Sequence, residues 1–407
     1  MLQALRQRPI RRLWGGQALS SIGDEIYRVG LTWIAVGLIG PDTGYLSAAQ
    51  AASLMTLSFI GGKWADHWDP LHTMIRVDLA RAAIVLIPVI YSYFAPVPFP
   101  MLVVVAIILS GADAFFHPAL QTVLPKFSPN VETLHAASGL MMTTIRLARM
   151  VGPAIVGAVA GIIPPIHFFT MDAFSFVISA SMLLPLQTAV LPKHVRGSRK
   201  TTSLSEAIFS GFQAIRKHPG MSFILFAKAV TAGTWNLSYG LGFALLVNQL
   251  TPGDTRSFGM VIASYGFGNF LGALYYGNHK RPHPSGMMFT GFIWLGIGFV
   301  LIGRVHTIPW IMAISAVSGF SGTANEVTFF DLVQKRFAIA DITKIVRLRM
   351  ATDTACTLAM LLIAPMLFRL LGPSLVIELS GWLWILVGAV GWLGFAKTLQ
   401  PAPQTIR

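Results

Sequence analysis

Residues 284–303, PSGMMFTGFIWLGIGFVLIG, run for twenty residues without one charged side chain. A helix needs about 20 such residues to cross the hydrocarbon core of a bilayer. Stretches of this kind recur along the whole chain. They cover 12–39, 45–64, 76–97, 101–124, 139–163, 166–189, 222–248, 257–277, 284–303, 308–334, 350–371 and 374–396. Inside lipid, every backbone polar group must be bonded within its own segment, which makes each stretch a helix. The sequence therefore predicts an all-α membrane protein with twelve transmembrane helices. Composition agrees, because charged residues make up 11% of the 407. A soluble domain carries about 25%, and this chain has too little charge to cover a water-facing surface.

The remaining charge is unevenly distributed. With the N-terminus inside, 25 of the 30 Lys and Arg fall in inner loops or at inner helix ends, among them Arg6, Arg12, Lys126, Lys193, Arg199, Lys335 and Arg347. Arg256, Arg304 and Arg369 fall outside, and Arg28 and Lys228 lie within spans. Basic residues concentrate in cytoplasmic loops, so both termini are expected in the cytoplasm. The net charge of +14 then reflects contact with an anionic inner leaflet, not a nucleic-acid partner.

The longest polar stretch divides the chain. Residues 1–189 form a first six-helix bundle, 190–221 a cytoplasmic connector and 222–407 a second six-helix bundle. Within the connector, Leu204, Ile208, Phe212 and Ile215 recur at helical spacing, which predicts an amphipathic helix on the inner membrane surface. The two halves echo each other: SFIGGKWADHWD ends the second span and NFLGALYYGNHK the eighth. Paired six-span halves are a transporter pattern.

Several chemistries find no motif. The chain has one cysteine, Cys356, in an apolar run, where it reads as a packing residue. His117, His135 and His167 stand in different elements without metal-ligand spacing. No G-x-x-x-x-G-K-[ST] phosphate loop occurs. The basic start MLQALRQRPIRRLW lacks a small-residue cleavage site, so a cleaved signal peptide is not expected. No cofactor and no metal are expected.

The stretch GGKWADHWDP, 61–70, sits where span two meets the cytoplasm. Its Gly62 and Asp66 resemble the loop signature of the major facilitator superfamily. Asp69, Arg76, Asp78 and Arg81 extend the likeness towards the drug-exporter branch that includes macrolide and siderophore efflux proteins. The pattern departs at His67, where the family has arginine, and at Pro70-Leu71, where it has a basic pair. The run RLARMVGPAIVGAVAG, 146–161, resembles the exporter signature of span five through Arg149, Gly152, Pro153 and Gly157. FFHPALQTVLPKF, MDAFSFVISA and YGFGNFLGALYYG are similar to further segments of that branch. The resemblance implies a major facilitator fold, with Gly62, Asp66, Asp69, Arg76 and Arg81 around an inner gate at which Asp66 meets the start of span eleven. It also implies that the span-five motif controls which side opens. On physical grounds, Gly152, Gly157 and Gly161 let helices approach closely, and Pro153 can bend its helix.

An ionisable side chain near mid-bilayer costs at least about 2.5–3.5 kcal/mol, so those that persist are paired or used. Asp24, Glu25, Arg28, Asp113 and Glu326 fall within spans. Asp24 and Arg28 are four apart, share a helix face and can pair; Glu25 points elsewhere and needs another partner. Asp113 and Glu326 lack a basic partner nearby in sequence, and Asp331 has Lys335 one turn on. Lys228 is placed to snorkel, and Asp172 reads as a helix-start residue. Asp24, Glu25, Asp113 and Glu326 are the candidates for proton coupling, and structural ion pairing is the other reading of the same residues. Trp33, Trp235, Tyr239, Phe243 and Tyr265 could form a surface for a flat or amphipathic molecule, or be ordinary packing.

The expected function is secondary active export of an amphipathic small organic molecule (a drug, macrolide or siderophore) by alternating access, coupled to proton entry. The expected protein is a monomer in a bacterial inner membrane, with membrane lipids around it. A lysolipid or other lipid cargo fits the same pattern. A membrane-embedded enzyme or a non-transporting receptor is the alternative of a different class.

Overall fold

The computed structural model describes residues 2–65, 68–187, 204–216, 218–278 and 284–395. Among them the chain is helical, with short turns and no strand. The first half contains α1 (Arg8–Ile39), α2 (Thr43–Ala65), α3 (Pro70–Ser92), α4 (Phe99–Phe127), α5 (Val131–Val159) and α6 (His167–Leu183). The second contains α7 (Leu204–Arg216), α8 (Pro219–Trp235), α9 (Phe243–Leu250), α10 (Thr255–Asn278), α11 (Pro284–Arg304), α12 (Ile308–Arg336) and α13 (Ile339–Phe395). Between α8 and α9 the helix widens into a π-helix over Asn236–Gly242.

Local sequence explains the helix ends. Proline opens α3, α4, α8 and α12, where its missing N–H breaks no helical bond. The Asp69 carboxylate caps α3 by accepting from the amides of Leu71 (3.0 Å) and His72 (2.9 Å). Asn130 caps α5 through the Thr133 amide at 2.8 Å. Gly372 divides α13 into arms 339–371 and 373–395; its φ of 74° and ψ of 162° form a conformation that a side chain would strain.

Among the described residues, six helices, α4, α5, α6, α10, α11 and α13, are long and apolar enough to cross a membrane. The other predicted spans fall on helices of a different kind. Helices α1, α3 and α12 each carry several ionisable residues, α2 is rich in Gly, Ser and Thr, and α8 stops after 17 residues at the π-helix.

The helices pack as two compact units, residues 1–40 with 49–201 and residues 41–48 with 202–407. In the first, α1 packs on α5 and α6, and α3 on α4 and α6. Ile10, Leu13, Met74, Phe116, Val123 and Leu183 form its core. In the second, α10 packs on α12, and α11 on α12 and α13, around Met221, Phe289, Phe292, Phe329 and Ile345. Residues 41–48 are held there by Arg369, which donates to Asp42 Oδ2 at 2.5 Å.

Glycine sets two of these contacts. A Cβ on Gly152 would lie 2.6 Å from Glu25 Cβ, so α5 meets α1 at van der Waals distance only because residue 152 has none. A Cβ on Gly272 would lie 2.5 Å from the Phe320 carbonyl oxygen, which does the same for α10 and α12. Gly157 is buried in α5, and α5 runs unbroken past Pro153. Gly161 differs from expectation. It follows the end of α5 and has open space about it, so it mediates no helix contact.

The predicted amphipathic helix is α7, but its packing differs from a simple surface helix. Gly211 lies against Leu348 of α13, and Ile215 is buried with Ile345 and Leu348. Phe212, assigned to the same face as Ile215, is instead exposed together with Phe209. The first part of the predicted connector, 190–203, lies outside the described residues.

Candidate functional site

Among the described residues, each unit holds a cluster of charges drawn from three or more helices. In the first unit the cluster is built around Arg81 of α3, which is 3% exposed. Its guanidinium donates to Asp113 Oδ1 of α4 and lies 4.0 Å from Asp78 Oδ1 on its own helix. The rings of Phe116 and Phe176 flank it at 4.9 and 5.4 Å. Asp24 of α1 and Asp172 of α6 lie within electrostatic reach of Arg81 and Asp113. Among the described residues, four carboxylates thus share one arginine.

The depth of these acids differs. Asp78 and Asp172 are buried, Asp24 is exposed, and the Asp113 side chain is 40% exposed. Ser175 donates to Asp172 Oδ1 at 3.3 Å, while Asp172 Oδ2 and both Asp78 oxygens have no hydrogen-bond partner. Buried polar atoms are nearly always satisfied, so unfilled carboxylate oxygens in this number are exceptional. Asp172 is brought there by Gly23 of α1, on which a Cβ would lie 2.7 Å from Asp172 Oδ1. The helix-start reading of Asp172 is therefore corrected: α6 begins at His167, its cap position is Ile166, and Asp172 faces inward one turn later.

The pairing expected in α1 is also corrected. Arg28 bonds Glu25 through Nε at 2.9 Å, with its second nitrogen on the same oxygen, and does not pair with Asp24. Arg149 of α5 approaches Glu25 Oε1 at 3.7 Å. Glu25 is thus clamped between two arginines, beside the Gly152 contact.

In the second unit the cluster joins α8, α12 and α13. Glu326 Oε1 accepts from Lys228 Nζ and from Arg349 at 2.6 Å. Lys228 also donates to Asn325 Oδ1 at 2.8 Å, and Arg349 Nε to Asp353 Oδ2 at 3.1 Å. Phe329 and Phe330 lie 4.5 and 5.5 Å from the Arg349 guanidinium. Two expectations change. Glu326 and Asp113 do have basic partners, supplied by other helices, and Lys228 is buried and bonded, not snorkelling. The Asp331–Lys335 pair forms as expected at 2.9 Å.

Of the gate residues, Asp66 and His67 lie outside the described residues. Gly62 lies in α2, Arg76 is exposed, and Arg81 is buried in the acidic cluster, away from any loop. Asp69 serves as the α3 cap, with His72 Nδ1 3.1 Å from its carboxylate. Partial burial acts to raise the Asp69 carboxyl, but hydrogen bonds from His72 and Leu71 outweigh it and hold it below the ordinary carboxylate value.

The aromatic candidates separate into two places. Trp235 stacks on Tyr239 at 4.5 Å and donates to the Tyr265 hydroxyl at 2.9 Å. Tyr239 meets Tyr265 at 4.4 Å and Phe243 at 5.5 Å. Tyr239, Phe243 and Tyr265 are buried, leaving Trp235 half-exposed at the edge of the stack. Trp33 is buried in the first unit. The stack sits on the π-helix, a distortion that concentrates at functional sites.

The family described as transmembrane secretion effector matches residues 1–317. The chain belongs to that family, within the major facilitator superfamily. The chain is 23% identical over 319 residues to the staphyloferrin A transporter of Staphylococcus aureus, covering 76% of this chain and 78% of that one. It is 25% identical over 309 residues to the multidrug efflux pump Tap of Mycolicibacterium fortuitum, covering 73% and 74%. The macrolide efflux protein A of Streptococcus pyogenes is 22% identical over 295 residues, 72% of each chain. Among solved structures, a bacterial homolog of the human lysosomal transporter Spinster superposes with a TM-score of 0.66 at 13% identity, over 96% of this chain and 98% of that one. A POT family transporter gives 0.68 at 12% identity, over 96% of each. The chain is accordingly a multi-pass membrane transporter of the major facilitator fold, not an enzyme.

Residues missed by sequence reasoning complete both clusters: Asp78 and Asp172 in the first unit, Lys228, Arg349 and Asp353 in the second. Asp172 had a signal in Ser175 and Ser179, which carry polarity along one face of α6 at helical spacing.

Proposed function

We propose that this protein is a twelve-span exporter with both termini cytoplasmic, in the inner membrane of a bacterium. It works as a monomer. It moves an amphipathic small organic molecule outward by alternating access, in exchange for protons. The siderophore, multidrug and macrolide transporters among its relatives support export of such molecules.

The observation that carries proton coupling is the imbalance around Arg81, one cation among Asp24, Asp78, Asp113 and Asp172. If all four were ionised, three negative charges would stand uncompensated in a largely buried site. That is costly enough for such groups to take up protons instead. Asp24 and Asp113, the more exposed members, are the exchange points with water. A proton on Asp113 weakens its hold on Arg81 and lets the guanidinium turn to Asp78, now at 4.0 Å. Protonation is thereby converted into a changed bond between α3 and α4. Glu25, held by Arg28 and Arg149, acts as a structural tie between α1 and α5. Gly62, Asp66 and Arg76 serve the inner gate, with Asp69 fixing the start of α3.

The test is efflux from proteoliposomes with and without an imposed pH gradient, across dyes, macrolides and siderophores. At least one cargo should move uphill only with the gradient. Transport of every accepted cargo at the same rate without a gradient would remove proton coupling, and transport of none would remove the export reading.

A further inference from the structure

Lys228 and Arg349 are held in place without help from Glu326. Lys228 is bonded to Asn325, and Arg349 is bonded to Asp353 and packed against Phe329 and Phe330. Their side chains are 5% and 12% exposed, whereas that of Glu326 is 41% exposed. The two cations form a fixed, buried seat, and the carboxylate between them is its most accessible member. Both bonds fall on one Glu326 oxygen, Oε1, so the group sits at the mouth of the seat on a side chain with several rotatable bonds.

A fixed pair of charged donors facing one point is the arrangement that recognises a carboxylate. We propose that Lys228 and Arg349 form an acid-binding subsite that Glu326 fills when no cargo is bound, and that the cargo carries a carboxylate or similar anionic group. The cargo acid takes the place of Glu326 on the two cations, and the displaced Glu326 turns towards its exposed side. One anion replaces another on the cations, so neither is left bare during the exchange. A cationic molecule gains nothing here, because Glu326 is already neutralised by two donors. The occupant's being a cargo rests on the export reading; the subsite itself does not.

The test uses the full-length protein in lipid nanodiscs, with citrate as the probe. Its neutral trimethyl ester and the cation tetraphenylphosphonium are the controls, and calorimetry at pH 7 is the readout. Glu326→Gln empties the seat and should bind citrate about tenfold tighter than the parent, the gain expected from freeing one charge-assisted contact. Neither control should respond to the substitution. Adding Lys228→Met to Glu326→Gln restores the parent's net charge in the cluster, keeps the Arg349–Asp353 pair, and should lose that gain. Citrate binding no tighter in Glu326→Gln than in the parent would overturn the subsite. So would a double variant that melts like the parent and binds citrate as tightly as Glu326→Gln. Efflux of dyes, macrolides and siderophores under a pH gradient is read in parallel; transport of none, with citrate binding intact, would overturn the export reading and leave the subsite standing.

Discussion

Replacing Arg81 by Met tests the first-unit cluster through stability. Methionine keeps much of the apolar stem that Phe116 and Phe176 enclose, so the main loss is the charge. Asp78, fully buried, and Asp113 are then left without the cation they share. Breaking a buried pair by removing one partner costs about 3–5 kcal/mol. The escape route is protonation, and neutralising a carboxylate of ordinary pKa near 3.9 costs about 4 kcal/mol at pH 7. The two figures agree, and for a chain of this size they correspond to a fall in apparent melting temperature on the order of 5 °C. The neutralisation cost falls by about 1.4 kcal/mol per pH unit, to roughly 1.5 kcal/mol at pH 5. Melting of purified Arg81→Met against the parent in detergent should therefore show a deficit at pH 7 that shrinks at pH 5. Adding Asp113→Asn, which removes one stranded acid, should recover most of it. An unchanged melting temperature at pH 7, or a deficit equal at both pH values, would refute the claim that Arg81 is held chiefly by these carboxylates.

Other substitutions probe separate contacts. Gly152→Leu puts a side chain where a Cβ alone meets Glu25 Cβ at 2.6 Å and the Ile22 carbonyl oxygen at 3.1 Å; overpacking should cost about 1–3 kcal/mol or more, read as reduced melting temperature and yield. Asp69→Ala removes the α3 cap and should cost about 1 kcal/mol, seen as faster deuterium exchange at the Leu71 and His72 amides. Because the Asp69 carboxyl is held below its ordinary value, the cap contributes fully above the ordinary carboxylate range. Its contribution fades as pH falls through the lowered value, and the difference between parent and variant should vanish there.

Much of the fold is legible in the sequence because crossing a bilayer constrains every residue of a segment at once. The uncharged run at 284–303 coincides with α11, and the polar break near 190–221 contains α7. Charge partners are less legible because they come from other helices. Arg81 and Asp113 are 32 residues apart and Lys228 and Glu326 are 98 apart, separations that helical periodicity does not address. Within α1 spacing also misleads. Positions 24 and 25 both lie within a turn of Arg28, and Arg28 joins Glu25, the acid that Arg149 of α5 also approaches. The π-helix at Asn236–Gly242 is not legible in the sequence, where 222–248 reads as one continuous span.

The central claim is that protons bound among the first-unit acids drive net transport. Comparing uphill efflux with cargo-for-cargo exchange in proteoliposomes tests it most directly, because exchange requires no net proton movement. Asp113→Asn should abolish gradient-driven accumulation while exchange continues near the parental rate. Parental uphill transport by this variant, or equal loss of both activities in a protein that melts like the parent, would contradict the account.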